Sequence, residues 1–116
     1  MGSKINILQI NIDRVRNAHD LALATGAHLK VDMLVLCEPN KNRIKQIGWI
    51  TDKRKDVAIL IRNKLVVVSD IEARNSYVRV KINKYNIFWC YFSPNAKLEE
   101  FSKFLVELQS DIEKDK

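Results

Sequence analysis

Three polar side chains stand where apolar strands end. Residues 5–11 read Ile-Asn-Ile-Leu-Gln-Ile-Asn, residues 34–39 read Leu-Val-Leu-Cys-Glu-Pro, and residues 87–95 read Ile-Phe-Trp-Cys-Tyr-Phe-Ser-Pro-Asn. Buried strands avoid charge. A carboxylate at the end of one, Glu38, with Pro39 stopping the ladder, is therefore a candidate metal ligand or catalytic group. It is a hard oxygen donor suited to magnesium or manganese, ions that take one or two carboxylates and fill the other positions with water and substrate phosphate. Asn11 offers an amide that can orient a ligand or a phosphate oxygen. Tyr91 offers a hydroxyl that can reach a phosphate. Each has a plainer reading when taken alone. Glu38 can cap a loop or pair with Arg43, Asn11 can bond nearby backbone, and Tyr91 can be a strand aromatic with a satisfied hydroxyl.

The elements that must position these groups follow from periodicity. Residues 4–12 alternate as a strand. Asp13 is placed to cap a helix from Arg14 to Thr25, with Val15, Ala18, Leu21, Ala22 and Thr25 as its inward stripe. Gly26 suits the left-handed position that ends a helix. Residues 31–38 are nearly all apolar, as for a strand buried on both faces. This makes a β-α-β opening with two parallel strands. Five short strands follow, over 47–51, 57–62, 65–69, 77–82 and 87–92. Asp52, Asn63, Asn75 and Asn83-Lys84 supply turns between them. Ser93-Pro94-Asn95 breaks the pattern and opens a final helix. Its buried stripe is expected at Leu98, Phe101, Leu105, Leu108 and Ile112. The order is that of a layered α/β (α+β) domain.

Composition limits the function classes. The chain has 116 residues, enough for one domain, residues 1–116, and 47% of them are hydrophobic. That fraction excludes a disordered chain. No run approaches the roughly 18 apolar residues of a membrane helix, and no membrane partner is expected. The start, Met1-Gly2-Ser3-Lys4, lacks a signal-peptide core. With Cys37 and Cys90 read as buried free thiols, the expected location is intracellular, nuclear or cytoplasmic. The formal charge is +6. It suits a polyanionic partner, and a solvated basic surface without a partner is the alternative. The densest basic stretch, Lys41, Arg43, Lys45, Lys53, Arg54 and Lys55, follows Glu38.

Other polar groups are weaker candidates. His19 and His28 fall on or just after the first helix, away from the strand ends, and are expected at the surface or partly buried. Asp52 sits in a turn and could position a loop. Trp49 and Trp89 read as core residues rather than base-stacking platforms. There is no glycine-rich phosphate loop, nucleophile elbow or Cys/His dyad.

Taken together the strand ends are more specific than any one of them. Gln9-Ile10-Asn11, then Leu36-Cys37-Glu38-Pro39, then Tyr91-Phe92-Ser93-Pro94-Asn95 resemble the endonuclease/exonuclease/phosphatase superfamily. The nearest resemblance is to the endonuclease domains of non-LTR (LINE-type) retrotransposons. Asn17-Ala18-His19-Asp20-Leu21, Gly48-Trp49-Ile50-Thr51-Asp52 and Asp56-Val57-Ala58-Ile59 also look like that group. The resemblance implies that Glu38 is the metal-binding glutamate and that Asn11 helps hold the metal (Mg2+ or Mn2+) and its waters. It implies that Tyr91 contacts the scissile phosphate and that Asn95 sets a loop or contacts DNA.

In that family a water attacks a phosphodiester in line while the metal stabilises the developing charge. The family domain is about twice this length. Its second half carries an Asp-x-Asn strand end and a terminal Asp-His pair, and neither occurs here. The resemblance therefore implies a truncated domain, the N-terminal half of a four-layer α/β/β/α sandwich, with one mixed sheet and two main helices. The bare inner face of that sheet is expected to need a complementary C-terminal half or a homodimer. The leading functional reading is a metal-dependent DNA endonuclease domain, incomplete and inactive alone, with DNA as partner. The alternative is a non-catalytic nucleic-acid-binding or assembly module derived from it. A phosphatase of the same superfamily is a third class.

Overall fold

The computed structural model describes residues 4–45, 48–93 and 97–114. Strand β1 is Ile7–Asn11, helix α1 is Arg16–His28 and β2 is Met33–Cys37. β1 and β2 pair in parallel, so Asn11 lies opposite Cys37 and both strands end at the same edge of the sheet. A 3-10 turn at Arg43–Lys45 leads to β3, Trp49–Thr51, and β4, Val57–Ile61. These four strands form one mixed sheet in the order β1-β2-β4-β3. All of β2 is buried, as its unbroken apolar run requires. β5 (Val68–Ala73), β6 (Tyr77–Ile82) and β7 (Tyr85–Cys90) form an antiparallel meander, and α2 is Leu98–Lys114.

Side chains alternate across each strand, so every sheet has two faces to cover. Met33, Val35, Val57 and Ile59 of the mixed sheet pack in one buried cluster with Val78, Val80 and Ile82 of the meander. On the opposite face Leu34 and Leu36 pack with Ile12 and with Ala22 of α1. Tyr77, on the far side of the meander, meets Phe104 of α2 edge-on at 5.8 Å. The layers thus run α1, mixed sheet, meander, α2. The α/β class and the two helices agree with the sequence reading.

The single sheet does not, because β5, β6 and β7 are joined by short turns and pair with one another. Nor is the inner sheet face bare, since the meander covers it: Val35 and Ile59 are 0% exposed. The opening that remains is narrower. Leu8 and Ile10 of β1 face α1, so Ile7, Gln9 and Asn11 face the other way, and all three are exposed. The three-stranded meander does not reach over this edge strand.

Several local expectations are corrected. Asp13 does not cap α1: Val15 holds that position, and no side chain caps the helix. The Asp13 N–H instead donates to Asn11 Oδ1 at 2.9 Å, and a left-handed turn at Asp13 and Arg14 delays the helix. Gly26 does not end α1. Lys30, at φ 54°, takes the left-handed position, and Gly26 lies buried against Val31 and Leu34. The buried face of α1 is His19, Ala22 and Gly26, which leaves Val15 and Leu21 exposed and makes His19 a core residue, 1% exposed.

The strand expected at 65–69 begins at Val68. Asn63 first holds a turn, its Oδ1 accepting the Leu65 N–H and its carbonyl the Val66 N–H. Cys90 is exposed at the end of an edge strand, whereas Cys37 is buried. The stripe of α2 stays largely open, with Leu98 78%, Phe101 40%, Leu105 46% and Ile112 40% exposed. Of that stripe only Leu108 is turned inward, together with Phe104 and Asp111.

Candidate functional site

Topology brings the predicted strand ends together. Asn11 is the last residue of β1, Glu38 directly follows β2, and Tyr91 directly follows β7. The Tyr91 hydroxyl donates to Glu38 Oε1, across 53 residues of sequence. Asn11, whose side-chain oxygen accepts the Asp13 N–H, is near enough to that hydroxyl to act on its ionisation. The hydrogen bond to Glu38 and burial push the Tyr91 phenol up to about 12, against the smaller opposing effect of Asn11. Tyr91 thus stays protonated and donates through the neutral range. Its own N–H donates to the Ser76 carbonyl at 2.9 Å, which fixes the chain as it leaves β7. Asn95, the fourth residue singled out from sequence, lies outside the described residues.

The loops around this trio are held in costly backbone shapes. Asp13, Arg14, Glu38, Lys55 and Ser76 all have positive φ, between 48° and 70°. Each such non-glycine residue costs on the order of 1–3 kcal/mol and persists only where its surroundings enforce it. Here the enforcement is visible. Asp52 is 2% exposed, and its carboxylate accepts the N–H groups of Arg54 (3.3 Å), Asp56 (2.7 Å), Val57 (2.9 Å) and Ser76 (2.9 Å). It therefore ties the β3–β4 turn to the β5–β6 turn, a loop-positioning part of the kind its place in the sequence suggested. The side chains of Lys53, Arg54 and Lys55 project from that turn and are exposed.

Two residues that the sequence did not mark complete the rim. Arg14 donates from Nη1 to the carbonyls of Pro39 (3.1 Å) and Lys55 (2.8 Å), and from Nη2 to Asp56 Oδ1 (2.7 Å). Ser76 Oγ lies 3.5 Å from Asp56 Oδ2. The only available signal was the arginine three residues after Asn11, and nothing in its spacing set it apart. A cleft of about 390 Å3 adjoins the rim, lined by Arg54, Ser76, Phe92, Lys103 and Phe104 among others.

The donor set bears on a metal. Among the described residues no three His, Cys, Asp or Glu side chains converge on a metal-sized site. Oxygen donors of the kind that Mg2+ takes are present in Glu38 and in the Asn11 amide, whose oxygen also accepts the Asp13 N–H. Asp56 is engaged by Arg14 and does not add to them.

This arrangement, polar strand ends above a two-sheet sandwich between helices, is an endonuclease-like α/β fold. The structure resembles the endonuclease domain of TRAS1, a telomere-specific non-LTR retrotransposon, with a TM-score of 0.67 and 17% identity. The match covers 94% of this chain and 54% of the other, so the chain spans about half the length of the solved domain. No family model matches the sequence, and no curated protein does.

Proposed function

We propose that this chain forms the first half of a metal-dependent DNA endonuclease site and that it does not turn over alone. The contact of Tyr91 with Glu38, beside Asn11 at the joined strand ends, carries this reading, in a fold like that of a retrotransposon endonuclease domain. Glu38 and Asn11 would hold Mg2+ or Mn2+. The ion, when bound, supplies charge stabilisation at the phosphate under attack. Tyr91 supplies a protonated hydroxyl that can donate to a phosphate oxygen. Lys53, Arg54 and Lys55, on the turn beside the site, supply backbone neutralisation for a DNA strand. Among the described residues, neither histidine is placed to serve as base for the attacking water. His19 is buried under α1, and His28 ends that helix.

The exposed inward side chains of β1, Asn11 among them, support a second element that covers this edge and completes the site. We assign that role to a complementary C-terminal half, ahead of a second copy. The exposed basic turn also favours, as second reading, a module that binds nucleic acid without cleaving it.

Nicking of supercoiled plasmid with Mg2+ or Mn2+ tests the reading, beside duplex binding measured across a salt series. The expected result is binding that weakens steeply with salt and no nicking by the chain alone. Nicking by the parent chain that is abolished in Glu38→Ala would overturn the incompleteness. Absence of any salt-sensitive binding would overturn both the endonuclease and the binding-module readings.

A further inference from the structure

Glu38 sits at φ 48°, a conformation that a glutamate does not adopt without support. Its peptide groups are held on both sides. The Glu38 N–H donates to the Asp56 carbonyl at 2.8 Å, and the Glu38 carbonyl accepts the Arg14 N–H at 2.8 Å. Arg14 and Asp56 are themselves ion-paired through Nη2 and Oδ1 at 2.7 Å. Glu38, Arg14 and Asp56 thus form a closed ring of three links. The other terminal guanidinium nitrogen, Nη1, reaches the carbonyl of Pro39 on one side and of Lys55 on the other. Asn40 Nδ2 returns a bond to the Arg14 carbonyl at 3.0 Å. One planar fork therefore spans the two loops that flank Glu38, which a lysine ammonium cannot reproduce.

We propose that Arg14 and Asp56 are positioning residues whose ring holds the strained Glu38 peptide and aims its carboxylate at Tyr91 and the ligand site. This rests on the reading of Glu38 as a ligand for its purpose, but the ring itself can be tested without any metal. The pair also explains why Asp56, an acid so near the site, is not free to bind a cation. Its charge is committed to Arg14, with side chains 36% exposed for Arg14 and 18% for Asp56.

The test uses the full chain labelled with 13Cζ-tyrosine, whose three tyrosines are assigned by Tyr91→Phe and Tyr85→Phe. Arg14→Gln should move the Tyr91 resonance from its parent position to the one it takes in Glu38→Gln, with far-UV circular dichroism retained. Arg14→Lys should move it the same way. Mn2+ affinity, measured by calorimetry, should fall at least tenfold in Arg14→Gln. A Tyr91 resonance that stays at the parent position in both folded arginine variants would overturn the proposal, because a merely stabilising arginine would leave the contact intact. Should Arg14→Gln unfold, Asp56→Asn, which removes the ion pair and keeps the backbone carbonyl, decides the matter by the same resonance. A shifted resonance in a chain that binds no Mn2+ would uphold the positioning and overturn the metal reading.

Discussion

The two outer helices hold their sheets by different means. α1 lies on the mixed sheet through small residues and close apolar contact. Ala22 is 2% exposed, and Gly26 is buried in van der Waals contact range of Val31 and Leu34. α2 lies on the meander through a polar clamp and a few rings. Tyr77 donates its hydroxyl to Asp111, Arg74 Nε donates to the same carboxylate at 3.1 Å, and Phe104 packs beside Tyr77 and Phe92. Yet α2 is the more strongly amphipathic of the two helices. Amphipathic spacing marks a face that can be buried, and a neighbour decides whether it is.

The largest expected effect tests the apolar side of this contrast. Leu34 is 0% exposed beneath α1, so Leu34→Ala should cost about 2–5 kcal/mol in urea unfolding. A next step tests the clamp. Tyr77→Phe removes the hydroxyl from Asp111 and should cost about 1–3 kcal/mol, with early loss of amide protection confined to α2. Equal loss of protection in α1 would show that the two layers do not behave separately.

Smaller, and dependent on pH, is the contribution of His19. Burial holds its imidazole below the ordinary value, Asp20 opposes that and Arg43 adds to it. Its Nδ1 has no partner among the described residues, and its ring rests 5.5 Å from that of Trp49. The unfolded chain binds the proton more readily, at about 6.5, so the stability is fully present above that pH and is lost as pH falls below it. The urea midpoint should therefore drop between pH 7.5 and pH 5.5, and the drop should shrink in His19→Leu. The smallest effect belongs to the open stripe of α2. Leu105→Ala should change stability by no more than about 0.5 kcal/mol. A cost rivalling that of Leu34→Ala would mean that the stripe is covered in solution and would break the contrast.

The sequence made the strand ends legible because apolar runs stop abruptly at polar residues there, and pairing in parallel then forces Asn11 and Glu38 to one edge. It made β2 legible because an unbroken apolar run has no solvent face. It left the division into two sheets hidden, since seven strands of mixed direction can be ordered in many ways and local periodicity does not choose. It misplaced the start of α1 because Asp13 looks like a cap, whereas the side chain of Asn11 takes the Asp13 N–H and turns the chain first. His19 read as a surface or partly buried group because a polar residue on a helix is usually at least partly solvated, and only its packing under the helix beside Trp49 reveals full burial. Arg14 was invisible because its partners, Pro39, Lys55 and Asp56, are 25 to 42 residues away and two of them offer only backbone.

The meander has a kinetic consequence. β5, β6 and β7 are consecutive and pair through turns of a few residues, so their loops close fast and at small entropic cost. The mixed sheet is slower to assemble, because β1 must find β2 across a whole helix and β2 must find β4 across β3. The polar rim draws on both sheets and on the turn that joins β3 to β4. Pulse-labelling hydrogen exchange should therefore find the amides of the rim protected later than those of the meander.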